Sequence, residues 1–121
     1  LGYKSGEDLQ REVGNARFTV LSSEWRENMP YSGLESLAAQ TPIIGARIGG
    51  IPELVEEGKT GFTFESGNAV DLSNSMLKCA AVSALNYSAM QHSCREYVNA
   101  RCLQNEYALA LIDLYERVIQ R

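Results

Sequence analysis

The sequence predicts a doubly wound α/β domain with a parallel, Rossmann-like sheet, and three observations carry that expectation. Runs rich in β-branched and aromatic residues, "RFTVLSS" at 17–23, "TPIIGA" at 41–46 and "GFTFES" at 61–66, read as strands. The stretches between them carry helical spacing and turn residues, and strands joined by crossovers of that kind run parallel. The chain has 121 residues, 45% hydrophobic and 21% charged, which suits one globular core.

Taken in order, Ser5 with Asp8 three residues later, then Leu9 and Val13, predicts a short capped helix over about residues 6–14. The 17–23 strand is expected to be buried on both faces. A helix over about 32–40 follows, carrying Leu34, Leu37 and Ala38 at helical spacing. Pro42 falls at the start of the next strand, where no ladder donor is lost. "GGIPELVEEGKTG" then supplies two glycines, Pro52 near a first helical position, one short helix and a stop at Gly58. After the third strand, Asp71 begins a helix to about residue 84, and Tyr87 onward is helical almost to the end. No repeat or domain boundary interrupts residues 1–121.

A net charge of −4 with scattered basic residues argues against a nucleic-acid partner. Arg95, Arg101, Arg117 and Arg121 alternate with Glu96, Glu106 and Glu116, as on a solvated helix face. Three cysteines without Cys-x-x-Cys spacing favour reduced thiols and a cytoplasmic setting, with Cys94 and Cys102, eight apart, as small core residues. The single His92 cannot anchor a zinc site of the usual type. No apolar run approaches the roughly 20 residues that span a bilayer. The opening "LGYKSGEDL" lacks Met, as a piece of a longer protein would.

Ligands of such sheets bind beyond the carboxyl ends of the strands, at helix N-termini. Two loops fall there, residues 22–31 and 46–52. In the second, Gly49-Gly50 permits close backbone approach or positive φ, and it equally suits a tight turn that starts a helix. Glu27 and Glu35 are placed so that both can face one cleft. Locally, however, Ser32-Gly33-Leu34-Glu35 fits a capping box, in which Glu35 serves only its own helix. Glu27 alone reads as a solvated loop carboxylate, and Trp25 more readily as a lid over the core than as a sugar-stacking platform.

Glu27-x7-Glu35 followed by "SLAAQTPIIGARIGGIPELVEEGKTGFTFESGN" resembles the C-terminal, donor-binding domain of retaining glycosyltransferases of the GT-B fold, family 4. The tail, "MQHSCREYVNARCLQNEYALALIDLYERVIQ", looks like that family's closing helices. By this resemblance Glu27 is the catalytic-site Glu beside the donor sugar. Asn28, Met29 and Pro30 form the loop whose backbone N–H groups meet sugar hydroxyls. Glu35 accepts hydrogen bonds from the donor ribose, and Gly49 and Gly50 flank the diphosphate. Ser22, Met29, Ser36, Gly45 and Ala46 depart from the family's commonest residues, which leaves the sugar's identity open.

The resemblance implies a nucleotide-sugar donor, a sugar or lipid-linked acceptor, no cofactor and no bound metal. It also implies that phosphate-gripping Arg and Lys side chains and an acceptor-binding, often membrane-touching domain precede this stretch. Residues 1–121 are then expected to be a partial domain, inactive alone. Two alternatives stay open: a non-catalytic half-domain acting as an interaction module, and an unrelated nucleotide binder in which Glu35 only caps. Three strands are expected in the spatial order 17–22, 42–46, 61–65, with residues 1–4 displaced or irregular. The bare apolar edge of the first strand, with Phe18 and Val20, is expected to pair two copies into a homodimer.

Overall fold

The computed structural model describes residues 2–102 and 104–119. In chain order it contains α1 (Gly6–Asn15), β1 (Thr19–Leu21), α2 (Tyr31–Ala38), β2 (Ile43–Ala46), a single 3-10 turn (Ile51–Leu54), β3 (Gly61–Phe64), α3 (Ala69–Ala81), α4 (Ala84–Arg101) and α5 (Gln104–Ile119). The strands form one parallel sheet in the order β1-β2-β3, with Thr19 opposite Ile43 and Ile43 opposite Gly61. Residues 2–4 have no regular structure and Tyr3 is exposed, as expected. Leu1, Leu103 and Arg121, on which sequence readings also fell, lie outside the described residues.

β2 is the axis of the molecule, and all four of its residues are buried. Because successive strand residues face opposite ways, Ile43 and Ile44 feed two separate cores. Ile43 joins Leu37, Leu54, Val55, Cys94 and Tyr97 on the side covered by α2 and α4. Ile44 and Ala46 join Phe64 and Cys79 on the side covered by α3. Two covered faces are what a parallel sheet requires. Gly33 sets the approach of α2, since a Cβ there would press on the Leu54 and Leu21 side chains.

Four local expectations are corrected. β1 is not buried on both faces: it pairs only with β2 among the described residues, and Val20 is 43% exposed. Phe18 is not bare, because its ring meets Tyr87 edge to face at 5.7 Å. Cys94 is buried but Cys102 is exposed, since α4 ends at Arg101 and helical spacing no longer applies one residue later. Finally, Ser5 precedes α1 without making a side-chain capping bond. α3 does begin with a capped turn, two residues before the expected Asp71, with the Asn68 side chain accepting from Val70 N and Asp71 N.

Candidate functional site

β1, the loop after it and α2 place the candidate residues at the carboxyl end of the sheet. The Glu27 carboxylate is fixed from its own loop: Ser23 Oγ donates to Glu27 Oε1 at 2.7 Å. Ser66 Oγ in turn donates to the Ser23 carbonyl at 3.3 Å, tying this loop to the one after β3. Ser23 was not singled out in the sequence, although a hydroxyl four residues before a loop carboxylate was a readable signal.

Gly49 and Gly50 have their partner inside the chain. Gly50 N donates to the Glu27 carbonyl at 2.8 Å. A Cβ on Gly50 would collide with the Asn28 carbonyl oxygen, and one on Gly49 would lie 2.9 Å from Glu27 N and closer still to Glu27 O. Gly49 also has φ 55°, a conformation side chains disfavour. Both glycines therefore let the 46–52 loop back directly onto the 27–28 backbone. With the Glu27 and Asn28 carbonyls turned toward the glycines, trans peptide geometry turns the Asn28 and Met29 N–H groups the opposite way.

On that outward side Asn28 and Met29 join Tyr31, Leu34, Arg101, Cys102 and Tyr107 around an open hollow of about 890 Å³. The Arg101 guanidinium is engaged there, paired with Glu56 at 3.0 Å and lying over the Tyr97 ring. Tyr97, part of the closing-helix motif, donates its hydroxyl to the Glu53 carbonyl at 2.6 Å and so anchors α4 to the 3-10 turn.

Pro30, buried, is the N-cap of α2, and no side chain caps the helix. The expected capping box does not form. Proline's fixed φ, here −73°, starts the helix at Tyr31, which puts Ser32 inside the first turn. Glu35 is thereby released from a capping role. It is exposed, and its carboxylate takes no hydrogen bond or ion pair among the described residues. Glu35 borders a different hollow, of about 440 Å³, with Gln10 and Gly14 of α1 and Ala38 and Ala39. Glu27 borders neither this hollow nor the larger one beside Asn28 and Met29. Between the two carboxylates in the chain lies the N-terminus of α2, where Gly33 N donates to the Pro30 carbonyl at 3.0 Å and the N–H groups of Tyr31 and Ser32 have no intrahelical partner.

Among the described residues no group of three or more His, Cys, Asp or Glu is placed to hold a metal ion. None of the described helices is long and apolar enough to cross a membrane.

A three-stranded parallel sheet with helices on both faces defines an α/β domain of the doubly wound class. Comparison with known proteins makes this specific: residues 1–100 match the glycosyl transferases group 1 family, and the chain belongs to it. Sulfoquinovosyl transferase of Arabidopsis thaliana is 34% identical over 73 residues, 58% of this chain and 14% of that protein. Trehalose phosphorylase of Grifola frondosa is 33% identical over 75% of this chain and 12% of its own length. This chain thus spans under a sixth of those relatives. Among solved structures, sucrose-phosphate synthase from Thermosynechococcus elongatus superposes with a TM-score of 0.76 at 24% identity, over 90% of this chain and 27% of that one. Anabaena HepE in complex with UDP-glucose gives 0.77 at 20% identity, over 93% and 31%. The α/β fold with its parallel sheet is that of the GT-B glycosyltransferases.

Proposed function

We propose that this chain is the donor-side portion of a retaining, family 4 glycosyltransferase, and that it binds a nucleotide-sugar along the N-terminal half of α2. Glu35 takes the ribose at one end, Glu27 stands beside the donor sugar at the other, and the diphosphate lies between them against the free N–H groups of α2. From Tyr31 to Glu35 the helix rises about 6 Å, the scale of a diphosphate, so an extended donor suits two carboxylates set apart along the chain. The outward Asn28 and Met29 N–H groups suit sugar hydroxyls. Acceptor binding and turnover are assigned to parts of a longer protein, in keeping with the small share of each relative that this chain covers. The 121 residues alone are expected to be inactive. No metal enters this reading.

The observation that carries the proposal is the uncommitted Glu35 carboxylate, freed from capping by Pro30. Two oxygens can take both vicinal ribose hydroxyls, a charge-assisted arrangement worth about 1.5–3 kcal/mol per bond to a charged group. Glu35→Gln is expected to leave the unfolding midpoint unchanged. In titrations of the longer parent protein with UDP-glucose, a ligand of the Anabaena neighbour, the variant should bind about ten- to 150-fold more weakly. Equal affinity of both forms rules out the ribose role. The interaction-module reading draws on the open edge of β1 and the exposed Val20. It gains ground if neither form binds nucleotide-sugar while the protein captures a strand-forming peptide.

A further inference from the structure

Trp25 is the chain's one tryptophan, and it is 80% exposed. It is not a lid over the core. An indole held in water on a solvent-facing loop forgoes the burial that large aromatics otherwise dominate, so its place invites a functional reason. The backbone that carries it is held from several sides. The Trp25 carbonyl accepts from Glu27 N at 3.0 Å, the Glu27 carbonyl accepts from Gly50 N at 2.8 Å, and Ser23 is tied to both Glu27 and Ser66. The indole is therefore presented from a fixed base two residues from Glu27, within about 7 Å of it between Cα atoms.

We infer that Trp25 is a stacking platform for a pyranose ring, positioned to hold a sugar against the Glu27 side of the cleft. This rests on the proposed function above and specifies its sugar side. A pyranose shows a C–H face that packs on a flat ring and an equatorial rim of hydroxyls that need hydrogen-bond partners. Both are supplied here, with Glu24 and Arg26, exposed on either side of Trp25, as the polar arms. A rigid aromatic adds contact area with only two side-chain torsions to fix.

Charge decides against a membrane as occupant. The 22–31 loop carries two acids, Glu24 and Glu27, against the single base Arg26, and the whole chain carries −4. An anionic bilayer repels such a surface. The ring bound by Trp25 is either the donor's own sugar or the acceptor's, and the same chemistry serves both.

The single indole makes the test direct. Trp25 fluorescence of the 121-residue chain is followed during titration with UDP-glucose, UDP, a linear gluco-oligosaccharide, and phosphatidylserine-containing vesicles. A saturable emission change with UDP-glucose that UDP does not produce assigns the donor sugar. A change with the oligosaccharide assigns the acceptor. Trp25→Ala should then weaken binding of that sugar ligand at least about fivefold, as loss of aromatic stacking does, while calorimetric affinity for UDP stays within about twofold. An indole silent to both sugars, or moved only by vesicles, overturns the inference. UDP calorimetry on the wild-type chain is blind to Trp25, so nucleotide binding with a silent indole defeats the platform alone. Sugar-dependent emission without any nucleotide binding defeats the donor-side function instead.

Discussion

β1 and β2 are built from similar residues and live in different surroundings. "TPIIGA" and "RFTVLSS" are both apolar, β-branched runs, yet β2 is buried at every position while β1 shows the middle of its three residues to solvent. β2 has a neighbour strand on each side and a core on each face; β1 has one neighbour strand among the described residues. Strand composition reports that a segment is extended and apolar. It does not report how many partners the segment has, because pairing is settled by chain far away in sequence.

The sharpest break in that contrast should come where the β2 side locks the site loop. Gly50→Ala drives a Cβ into the Asn28 carbonyl, and neither backbone can retreat without breaking the Gly50–Glu27 hydrogen bond. The expected cost is about 3 kcal/mol, the upper end for overpacking, read as a lower urea midpoint. Gly67 has positive φ, 77°, but open space around it, so Gly67→Ala should cost only about 1 kcal/mol of backbone strain. Equal losses at the two sites would show that the close approach at Gly50 is not what holds the corner.

Thiol chemistry extends the contrast to the helices. Burial pushes the Cys79 thiol up to about 11 and the Cys94 thiol up to about 12, while Cys102 is exposed. At pH 8 only Cys102 should label quickly. The other two should react only through unfolding, more slowly by a factor on the order of a thousand for a domain of ordinary stability. The sign of the pH effect follows. Both buried thiols lose their protons later in the folded chain than in the unfolded one, so this stability is intact below about pH 8.5. It is lost as pH rises toward the values of 11 and 12. Chemical denaturation at pH 8 and pH 10.5 checks this, and a flat profile would contradict it.

The legible part of this molecule was the part written in local pattern. Three strands, their parallel course and their order followed from short apolar runs and crossover-length links. The family was legible too, in the series of motifs from Glu27 to Asn68. The errors share one cause, which is that a local signature was outvoted by something outside its window. Ser32-x-x-Glu35 spells a capping box, but Pro30 claims the N-cap two residues earlier. Close backbone approach at Gly49-Gly50 was readable, and only its partner, the Glu27–Asn28 backbone more than twenty residues upstream, was not. Trp25 was expected over the core because that is where most tryptophans go.

The smallest expected change in monomer stability concerns the β1 edge itself, and it tests whether the difference between the strands reaches beyond one chain. β1 presents main-chain groups that β2 cannot satisfy, and Val20 adds an exposed apolar side chain beside them. An open edge of that kind is a template for another strand, and natural proteins commonly guard such edges with a lysine. Here the neighbouring positions are Phe18, engaged with Tyr87, and the uncharged Thr19 and Leu21, while Arg17 is drawn off to the Tyr87 ring and the Val82 carbonyl, so among the described residues β1 itself carries no charged guard. We expect self-association of the 121-residue chain through β1, with a sedimentation coefficient that climbs with protein concentration. Val20→Lys should abolish that climb. At an exposed site it should shift the unfolding midpoint of the monomer by no more than about 0.5 kcal/mol. A wild-type chain that sediments as a monomer at high concentration, or a lysine variant that associates equally well, would mean that β1 is open to solvent without serving as a template.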